Sequence, residues 1–222
     1  MLAIPAKRTQ RNLLTYLTEQ EVDALLGACD KTTWTGRRDH AMFALAIQTG
    51  LRISELAGLT RQDITLTTGA NMHTVGKGRK ERRTPLVPTT TAVLKAWLGE
   101  RTGTPTDPLF PTTTGQRLSR DAIERRLARH VTLAGSTCPT INAKRVTMHT
   151  LRHTAAMRLL LSGVDITVIA LWLGHEQVST TNIHLHADMF QKERAIARTT
   201  PPNAKPGRYR APDAIMAFLE AR

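Results

Sequence analysis

The sequence predicts a mainly α-helical chain with one stretch of β structure, which is an α+β organisation. Most apolar residues recur at three- and four-residue spacing between capping residues, a pattern typical of amphipathic helices. One segment, residues 64–87, instead alternates apolar and polar residues around a glycine-containing turn, which is typical of a β-hairpin. The chain has 222 residues and no long internal linker, so we expect one main folded domain.

The charge of the chain indicates a polyanionic partner. Its formal net charge is +13, which is outside the usual range for a metabolic enzyme. Aromatic residues make up only 4% of the chain, which argues against a stacking platform for single strands, so we expect double-stranded DNA held through its phosphates. No apolar run has transmembrane length and no signal peptide is evident, so we expect a cytoplasmic protein without a membrane partner.

Cysteine usage gives no sign of a disulfide framework or a thiolate zinc site. Cys29 and Cys138 lie far apart, without the short spacing that metal-binding cysteine pairs show. We therefore expect both cysteines to be chemically inert.

The first quarter of the chain predicts a linker and two helices. Residues 1–12 carry basic side chains around a proline and are interpreted as a basic linker. Thr18 and Glu21 have the spacing of a capping box and predict the start of the first helix. A second helix is expected from about Arg38 to Gln48.

A turn follows the second helix. Gly50 is expected to end that helix, and Arg52 lies in the turn itself. Ser54 is expected to cap a short third helix, with Glu55 in its first turn, where the helix dipole favours an acid. A lone arginine in a turn is usually a solvated residue, but the flanking apolar residues indicate that Arg52 is held in place.

The alternating segment predicts three short strands at Ile64–Leu66, Met72–Val75 and Thr84–Val87. Two glycines bracket Lys77 in the turn before the last strand, so we expect a tight hairpin that presents this amine on a short, mobile loop. Two interpretations remain open. The hairpin is either a basic contact to the phosphate backbone, or it carries one catalytic lysine with helper cations at Arg79, Lys80, Arg82 and Arg83.

Two further helices are expected before the third quarter of the chain. The first covers residues 89–99. A loop follows, in which Leu109 and Phe110 are expected to be buried. The second helix begins at Ser119 or Asp121 and runs to about Ala134. The second of them has a basic face, which is either solvated or directed at DNA. Its members are Arg120, Arg125, Arg126 and Arg129.

The segment from Thr147 to His186 organises the rest of the chain. His149 and Arg152 are three residues apart, so they lie on one face of a predicted helix. Gly163 is expected to end that helix. Asp165 is expected to cap a second helix at Ile166–Leu173, and Gly174 to end it in the left-handed conformation. His175 then emerges at a helix C-terminus, and a third helix capped by Ser179 would carry His184. We expect these side chains to converge on one surface.

The end of the chain predicts a tethered docking helix. Residues 198–210 are rich in proline and charge and are interpreted as a linker, whereas residues 211–222 have the pattern of a short amphipathic helix. A short helix cannot bury its apolar face alone, so it requires a groove on its own chain or on a neighbour.

Four motifs, in order, resemble those of the tyrosine recombinase (phage integrase) family. TGLRISEL resembles its first arginine box, GKGRKERRTPL its lysine hairpin, HTLRH its His-x-x-Arg box and LGHEQVSTTNIH its last box. The resemblance covers residues 13–197. It implies a mainly helical catalytic domain with a small antiparallel sheet on one side. It also implies a phosphoryl transfer on DNA, without metal or ATP, in which the protein becomes joined to a 3′ phosphate.

The resemblance also implies a role for each motif residue. Arg52 and Arg152 correspond to donors that stabilise the charge on the nonbridging oxygens of the transition state. His175 corresponds to a further donor to the phosphate. His149 corresponds to the group that assists proton movement from the nucleophile, and Lys77 to the general acid that protonates the leaving oxygen.

The sequence departs from the family pattern at the nucleophile. His184 stands nine residues after His175, where the family motif has its tyrosine. Three interpretations remain open: an inactive recombinase that still binds DNA, a histidine that acts as the nucleophile, or delivery of Tyr209 from the tail.

A second departure lies ahead of the catalytic motifs. Family members usually carry a separate DNA-clamping domain there, so the chain is interpreted either as a fragment or as a short member without the core-binding domain. The helix at 211–222 fits the family's habit of docking onto the next protomer. We therefore expect a homo-oligomer on DNA.

Two rival functions use the same residues differently. Residues 165–186 also have the pattern of a helix-turn-helix, which would make the chain a non-enzymatic, sequence-specific DNA-binding protein. The pairs His149/His153 and His184/His186 have spacings that can hold zinc, but no carboxylate or cysteine accompanies them and the neighbouring arginines repel a cation.

Overall fold

The fold is described from a computed structural model for residues 15–76 and 81–174. In these two ranges the chain forms seven α-helices and three β-strands. The helices are α1 (Glu19–Gly27), α2 (Trp34–Thr49), α3 (Ile53–Gly58), α4 (Pro88–Gly99), α5 (Arg120–Ala134), α6 (Met148–Leu161) and α7 (Ile166–Leu173). The strands are β1 (Ile64–Thr65), β2 (Asn71–Val75) and β3 (Glu81–Pro85), and 3₁₀ turns lie at Arg61–Asp63 and Pro139–Ala143.

Several predictions fall outside these ranges. They are the linkers at 1–12 and 198–210, the helix at 211–222, and the placement of Lys77, Arg79, Lys80, His175, Ser179, His184, His186 and Tyr209.

Local capping chemistry sets the helix ends, and the sequence predicted most of these ends. Thr18 and Glu21 form the capping box of α1. The Asp165 side chain accepts the backbone N–H of Thr167 at the start of α7. Gly50 and Gly174, each with φ of 66°, end α2 and α7 in the left-handed conformation that glycine adopts without steric cost.

Two helix starts differ from the prediction. The second helix begins at Trp34, one turn earlier than expected, because the Thr33 hydroxyl accepts the N–H of Gly36 and caps it there. The expected cap of α3 at Ser54 is wrong. Arg52 occupies the capping position, and the Glu55 carboxylate accepts its backbone N–H at 2.9 Å. An acid three residues into the helix therefore satisfies this end in place of the serine.

The three strands form one antiparallel sheet in the order β1-β2-β3. Met72 on β2 pairs with Ile64 on β1 and with Thr84 on β3, and its side chain is fully buried. The third strand begins at Glu81 rather than Thr84, so Arg82 belongs to the strand and faces Thr74 across the ladder. The predicted antiparallel pairing of these strands is therefore confirmed, although the third strand begins and ends earlier than expected and the predicted tight turn at Lys77 lies outside the described residues.

Helix α2 lies at the centre of the main hydrophobic core. It packs against α4 and α6, and buries Met42, Phe43 and Leu45 completely. The predicted burial of Leu109 and Phe110 is confirmed. A smaller apolar cluster joins α6 to α7, so the C-terminal end of α7 is fixed against the rest of the domain. None of the helices described is both long and apolar enough to cross a membrane.

Candidate active site

The guanidinium of Arg152 is the buried centre of the site. Arg152 lies on α6 and is 5% exposed. It donates one hydrogen bond to the carbonyl oxygen of Gly50 and another, of 2.7 Å, to that of Leu173. Burial, together with the nearby charges of Arg52 and Arg82, lowers its pKa to about 10, while the charge of Glu55 opposes this shift. The guanidinium therefore remains charged at neutral pH and holds three helices together.

Arg52 approaches the same place from the start of α3. Its Nη2 donates to the carbonyl oxygen of Gly174 at 3.2 Å, and its Nη1 donates to Glu55 at 3.1 Å. The side chain remains 40% exposed. Arg52 is thus oriented by a carboxylate and a helix end while it keeps donors facing solvent.

Glu55 is a site residue whose partners the sequence did not reveal. Its carboxylate is 6% exposed and accepts hydrogen bonds from both Arg52 and Arg82. Burial by itself raises the pKa of Glu55, but the backbone hydrogen bond from Arg52 and the charge of Arg82 outweigh it, so the pKa is lowered. The acid is therefore ionised and orders two arginines. The three-residue spacing of Arg52 and Glu55 was the available signal.

Arg82 brings a third guanidinium to the end of α7. Its Nη1 donates to the carbonyl oxygen of Leu173 and its Nη2 to Glu55, both at 3.1 Å. The side chain is only 11% exposed, and its Nε is buried without a hydrogen-bond partner. Arg82 therefore belongs to this cluster rather than to the outer surface of the hairpin. Arg83, the next residue, is exposed.

His149 lies one turn before Arg152 on α6. His149 is exposed, but partial loss of hydration and the charge of Arg152 both lower its pKa, so the neutral ring predominates at pH 7. Its ring packs edge-on against that of His153, with 4.3 Å between the ring centroids. A neutral imidazole beside a fixed guanidinium is able to accept a proton.

The described members of the predicted site thus fall into two groups. Arg52, Arg82 and Arg152 lie around the C-terminal end of α7, and His149 lies one turn before Arg152 on α6. The exposed arginines Arg120, Arg125 and Arg129 lie on α5. The cluster at α7 has an excess of positive charge, since three guanidinium groups face one carboxylate. Such a group of fixed donors can bind a phosphate and stabilise added negative charge on its oxygens.

Arg126 has a different environment from the other arginines of α5. Its Nε donates to both oxygens of Asp39, at 2.7 and 2.6 Å. Asp39 is fully buried on α2 and also accepts hydrogen bonds from Arg38 and His130. This network ties α5 to α2, which gives Arg126 a structural role. The sequence did not reveal this role, because Arg126 is one of four arginines on α5 that were interpreted together as a face that is either solvated or directed at DNA.

The described residues contain no group of three or more His, Cys, Asp or Glu side chains placed to hold a metal ion. The charge of Arg152 acts on His149 and repels a further positive charge there.

The helical domain and its three-stranded sheet have the catalytic-domain fold of tyrosine recombinases. The chain belongs to the phage integrase family, whose model matches residues 15–190. Over 221 residues it is 51% identical to a protein of Sinorhizobium fredii (strain NBRC 101917 / NGR234) named "Putative integrase/recombinase y4rC". It is also 34% identical over 190 residues to the tyrosine recombinase XerD of Pseudomonas putida (strain KT2440).

Solved structures with the same fold include XerA recombinase, with a TM-score of 0.72 and 28% identity over 90% of this chain and 68% of that one. XerH bound to a palindromic difH substrate has a TM-score of 0.72 and 27% identity over 86% of this chain and 55% of that one. The match to the Sinorhizobium protein covers 100% of this chain and 67% of that protein. The match to XerD covers 83% of this chain and 61% of XerD. The chain therefore spans about two thirds of these relatives.

Proposed function

We propose that the chain is the catalytic domain of a site-specific recombinase, which cuts and rejoins double-stranded DNA through a covalent 3′-phosphoprotein intermediate. The observation that carries the proposal is the convergence of Arg52, Arg82 and Arg152 on the carbonyl oxygens of Leu173 and Gly174. These carbonyls come directly before His175 in the sequence, so the last motif begins where the guanidinium cluster lies.

Arg52 and Arg152 are the proposed donors to the scissile phosphate. In the transition state the nonbridging oxygens gain negative charge, so donors that are already fixed stabilise this state more than the ground state. Arg152 is held by two carbonyl oxygens and Arg52 by Glu55, which limits the reorganisation that the reaction requires. His175 is proposed as a further donor to the same phosphate.

His149 and Lys77 are the proposed proton carriers. A nucleophile bonds to phosphorus while the bond from phosphorus to the 5′ oxygen breaks, which leaves the 3′ phosphate joined to the protein. The neutral ring of His149 assists departure of the proton from the nucleophile, in keeping with its lowered pKa. Lys77 donates a proton to the departing 5′ oxygen. Cations beside a lysine lower its pKa, and Arg79, Lys80, Arg82 and Arg83 follow it in the sequence.

The nucleophile is the part of the proposed chemistry at which the sequence departs from the family motif. His184 stands at the position where the family motif has tyrosine, so cleavage by this chain is proposed to be lost or impaired. A histidine nucleophile is the first alternative, and Tyr209 supplied by the tail is the second.

DNA binding is supported by charge and by relatives. The chain carries 31 lysines and arginines against 18 acids, and Arg83 is exposed, as are Arg120, Arg125 and Arg129 on α5. The XerH structure is described as a complex with its difH substrate. We propose that these arginines, with Arg79 and Lys80, contact phosphates along the duplex.

Assembly on DNA is proposed to use the amphipathic segment 211–222 of a second copy. A groove of about 460 Å³ lies between α1, α2, α4, α6 and α7, with apolar walls that include Leu26, Val93 and Leu159. Ile215, Met216, Phe218 and Leu219 give the segment an apolar face of matching chemistry. Deletion of residues 211–222 should abolish association on DNA without loss of the folded domain, and unchanged assembly in a gel-shift assay would reject this assignment.

The central experiment restores a tyrosine at position 184 and assays a nicked suicide duplex, on which cleavage cannot be reversed. We expect His184→Tyr to form a covalent protein–DNA band on a denaturing gel and the native chain to form little or none. His184→Phe is the matched control, because it has a ring of similar size without the attacking hydroxyl.

Two other outcomes would change the proposal. Equal capture by the native chain would show that the histidine or another residue is a competent nucleophile, and Tyr209→Phe in the native chain separates those two cases. DNA binding without capture by His184→Tyr would favour a non-enzymatic DNA-binding protein that uses residues 165–186.

A further inference from the structure

Arg82 uses both of its Nη atoms as donors to acceptors within the protein, unlike its exposed neighbour Arg83. It lies on β3, five residues after Lys77 and opposite Thr74 of β2. Its guanidinium turns away from solvent, with the side chain 11% exposed, and enters the space beside the C-terminal end of α7. A long basic side chain on a hairpin that is expected to meet DNA is ordinarily solvated. The inward position of Arg82 therefore has another cause.

The first contact of Arg82 is with the end of α7. Its Nη1 donates to the carbonyl oxygen of Leu173, which also accepts a hydrogen bond from Arg152. Gly174 leaves the space that the guanidinium fills, since a Cβ atom there would clash with the Nη1 of Arg82. A side chain at position 174 would therefore be strained by the positive φ and would displace the guanidinium of Arg82.

The second contact is with Glu55. The Nη2 of Arg82 donates to the same Glu55 oxygen that accepts the backbone N–H of Arg52. The two contacts of Arg82 use different nitrogens of one planar group, so they fix its orientation as well as its distance. A lysine has no such fork and cannot span both acceptors in this geometry.

We propose that Arg82 is a positioning residue, which anchors the hairpin of β2 and β3 to the guanidinium cluster at the end of α7 and so sets the approach of Lys77 to the scissile phosphate. This inference rests on the proposed function, because the role of Lys77 comes from it. Loss of Arg82 leaves the end of α7 held by Arg52 and Arg152, whereas β3 loses its hydrogen bonds to Leu173 and Glu55. The effect should therefore fall on the hairpin and on leaving-group protonation.

The anchor itself is tested without any assay of activity. Amide hydrogen exchange is measured on the native chain, on Arg82→Met and on Arg83→Met, a matched control at the exposed neighbouring position. Loss of charge-assisted hydrogen bonds at Arg82 should raise exchange at residues 72–75 and 81–84 by at least about tenfold, and exchange in α7 by less. Equal exchange in Arg82→Met and Arg83→Met would overturn the anchor.

The effect on Lys77 is tested with two duplexes that differ in one bridging atom. One has the normal 5′ oxygen at the scissile position, and the other has sulfur there, which leaves as a thiolate and needs no proton. Single-turnover cleavage is measured in the native chain or in His184→Tyr, whichever cleaves. Arg82→Met should slow cleavage of the oxygen substrate by roughly tenfold or more and that of the sulfur substrate by less than about threefold. Lys77→Ala should show the same selective loss on the oxygen substrate, to a larger extent.

The outcomes separate the two proposals. An equal loss on both substrates in Arg82→Met would overturn the positioning role, because it would mean that Arg82 acts on phosphate binding or on folding. Rescue of the oxygen substrate by Arg82→Lys would also count against it, since a lysine supplies the charge without the two-point contact. If no variant that retains Arg82 cleaves either substrate, the proposed function is overturned. Hydrogen exchange would still decide whether Arg82 anchors the hairpin.

Discussion

Arg152 donates a hydrogen bond to the carbonyl oxygen of Gly50, the left-handed residue that ends α2, and another to Leu173, the last residue of α7. One guanidinium thus satisfies carbonyl groups at two helix C-termini. Each of these ends carries a partial negative charge, which favours a cation placed against it. This arrangement explains how a guanidinium that is 5% exposed keeps its charge although burial lowers its pKa.

The first prediction concerns the geometry of Arg152 rather than its charge. Arg152→Lys keeps the positive charge, but a single ammonium cannot reach both carbonyl oxygens, and one of them remains unsatisfied. We expect the free energy of unfolding to fall by about 1–3 kcal/mol, as measured by urea denaturation. The control is Arg158→Lys on the same helix, where an exposed ion pair with Glu19 should be worth less than about 1 kcal/mol. Equal losses in the two variants would contradict the two-helix role.

The second prediction compares two glycines with positive φ. Gly163 has φ of 83°, and a Cβ atom added there would have open space within 4 Å, whereas Gly174 has φ of 66° and a Cβ atom there would meet Arg82. Gly163→Ala should therefore cost only the left-handed backbone penalty of about 1–2 kcal/mol. Gly174→Ala should cost more, because the Arg82 side chain must also move. Thermal and urea unfolding of both variants provide the measurement, and similar values would mean that Arg82 relocates freely.

The third prediction concerns the protonation of His149. Partial loss of hydration and the charge of Arg152 lower its pKa, so its ring should titrate below the ordinary value of 6.5. Because the folded state favours the neutral ring, the contribution of His149 to stability is present above pH 6.5 and is lost as the pH falls below that value. NMR titration of the ring protons gives the midpoint. Arg152→Gln should raise it and Arg158→Gln should not. A midpoint at or above 6.5 in the native chain would refute the prediction.

Sequence patterns predicted the elements whose signals are local. The capping box at Thr18 and Glu21, the cap at Asp165 and the glycine ends at Gly50 and Gly174 all depend on residues within one turn of each other. Such interactions can be predicted from the sequence without knowledge of the fold. The α3 cap was mispredicted because Ser54 is the usual capping type, whereas the capping position lies two residues earlier in the chain, at Arg52, and the carboxylate of Glu55 accepts the backbone N–H of that residue.

Long-range pairings explain what the sequence did not reveal. Arg82 has the same local signature as the exposed Arg83, and only the end of α7, 91 residues away, distinguishes them. Asp39 is likewise paired with Arg126 across 87 residues. A buried charge requires hydrogen-bond partners, and the partners of Arg82 and Asp39 include groups on distant elements, which a one-dimensional pattern does not record.

The last prediction separates two neighbouring arginines on α5. Arg126 donates to both oxygens of the buried Asp39, and Arg125 is exposed. Arg126→Ala should lower the free energy of unfolding by about 1–3 kcal/mol, since it removes charged hydrogen bonds from a buried acid. Arg125→Ala should change stability by less than about 0.5 kcal/mol. It should instead weaken duplex binding and reduce the slope of log affinity against log salt by about 1.

The pH dependence of the free energy of unfolding provides an independent check on the effect of Arg126→Ala. Burial alone raises the pKa of Asp39, but hydrogen bonds from His130 and Arg126 and the charge of Arg38 outweigh it and lower the pKa below 3.8. The stability that Asp39 contributes is therefore present above pH 3.8 and is lost as the pH falls through its lower folded value. The cost of Arg126→Ala, measured by urea denaturation, should be largest at about pH 7 and shrink below pH 3.8. A cost that is independent of pH would mean that Arg126 stabilises α5 through packing of its aliphatic stem and not through the carboxylate.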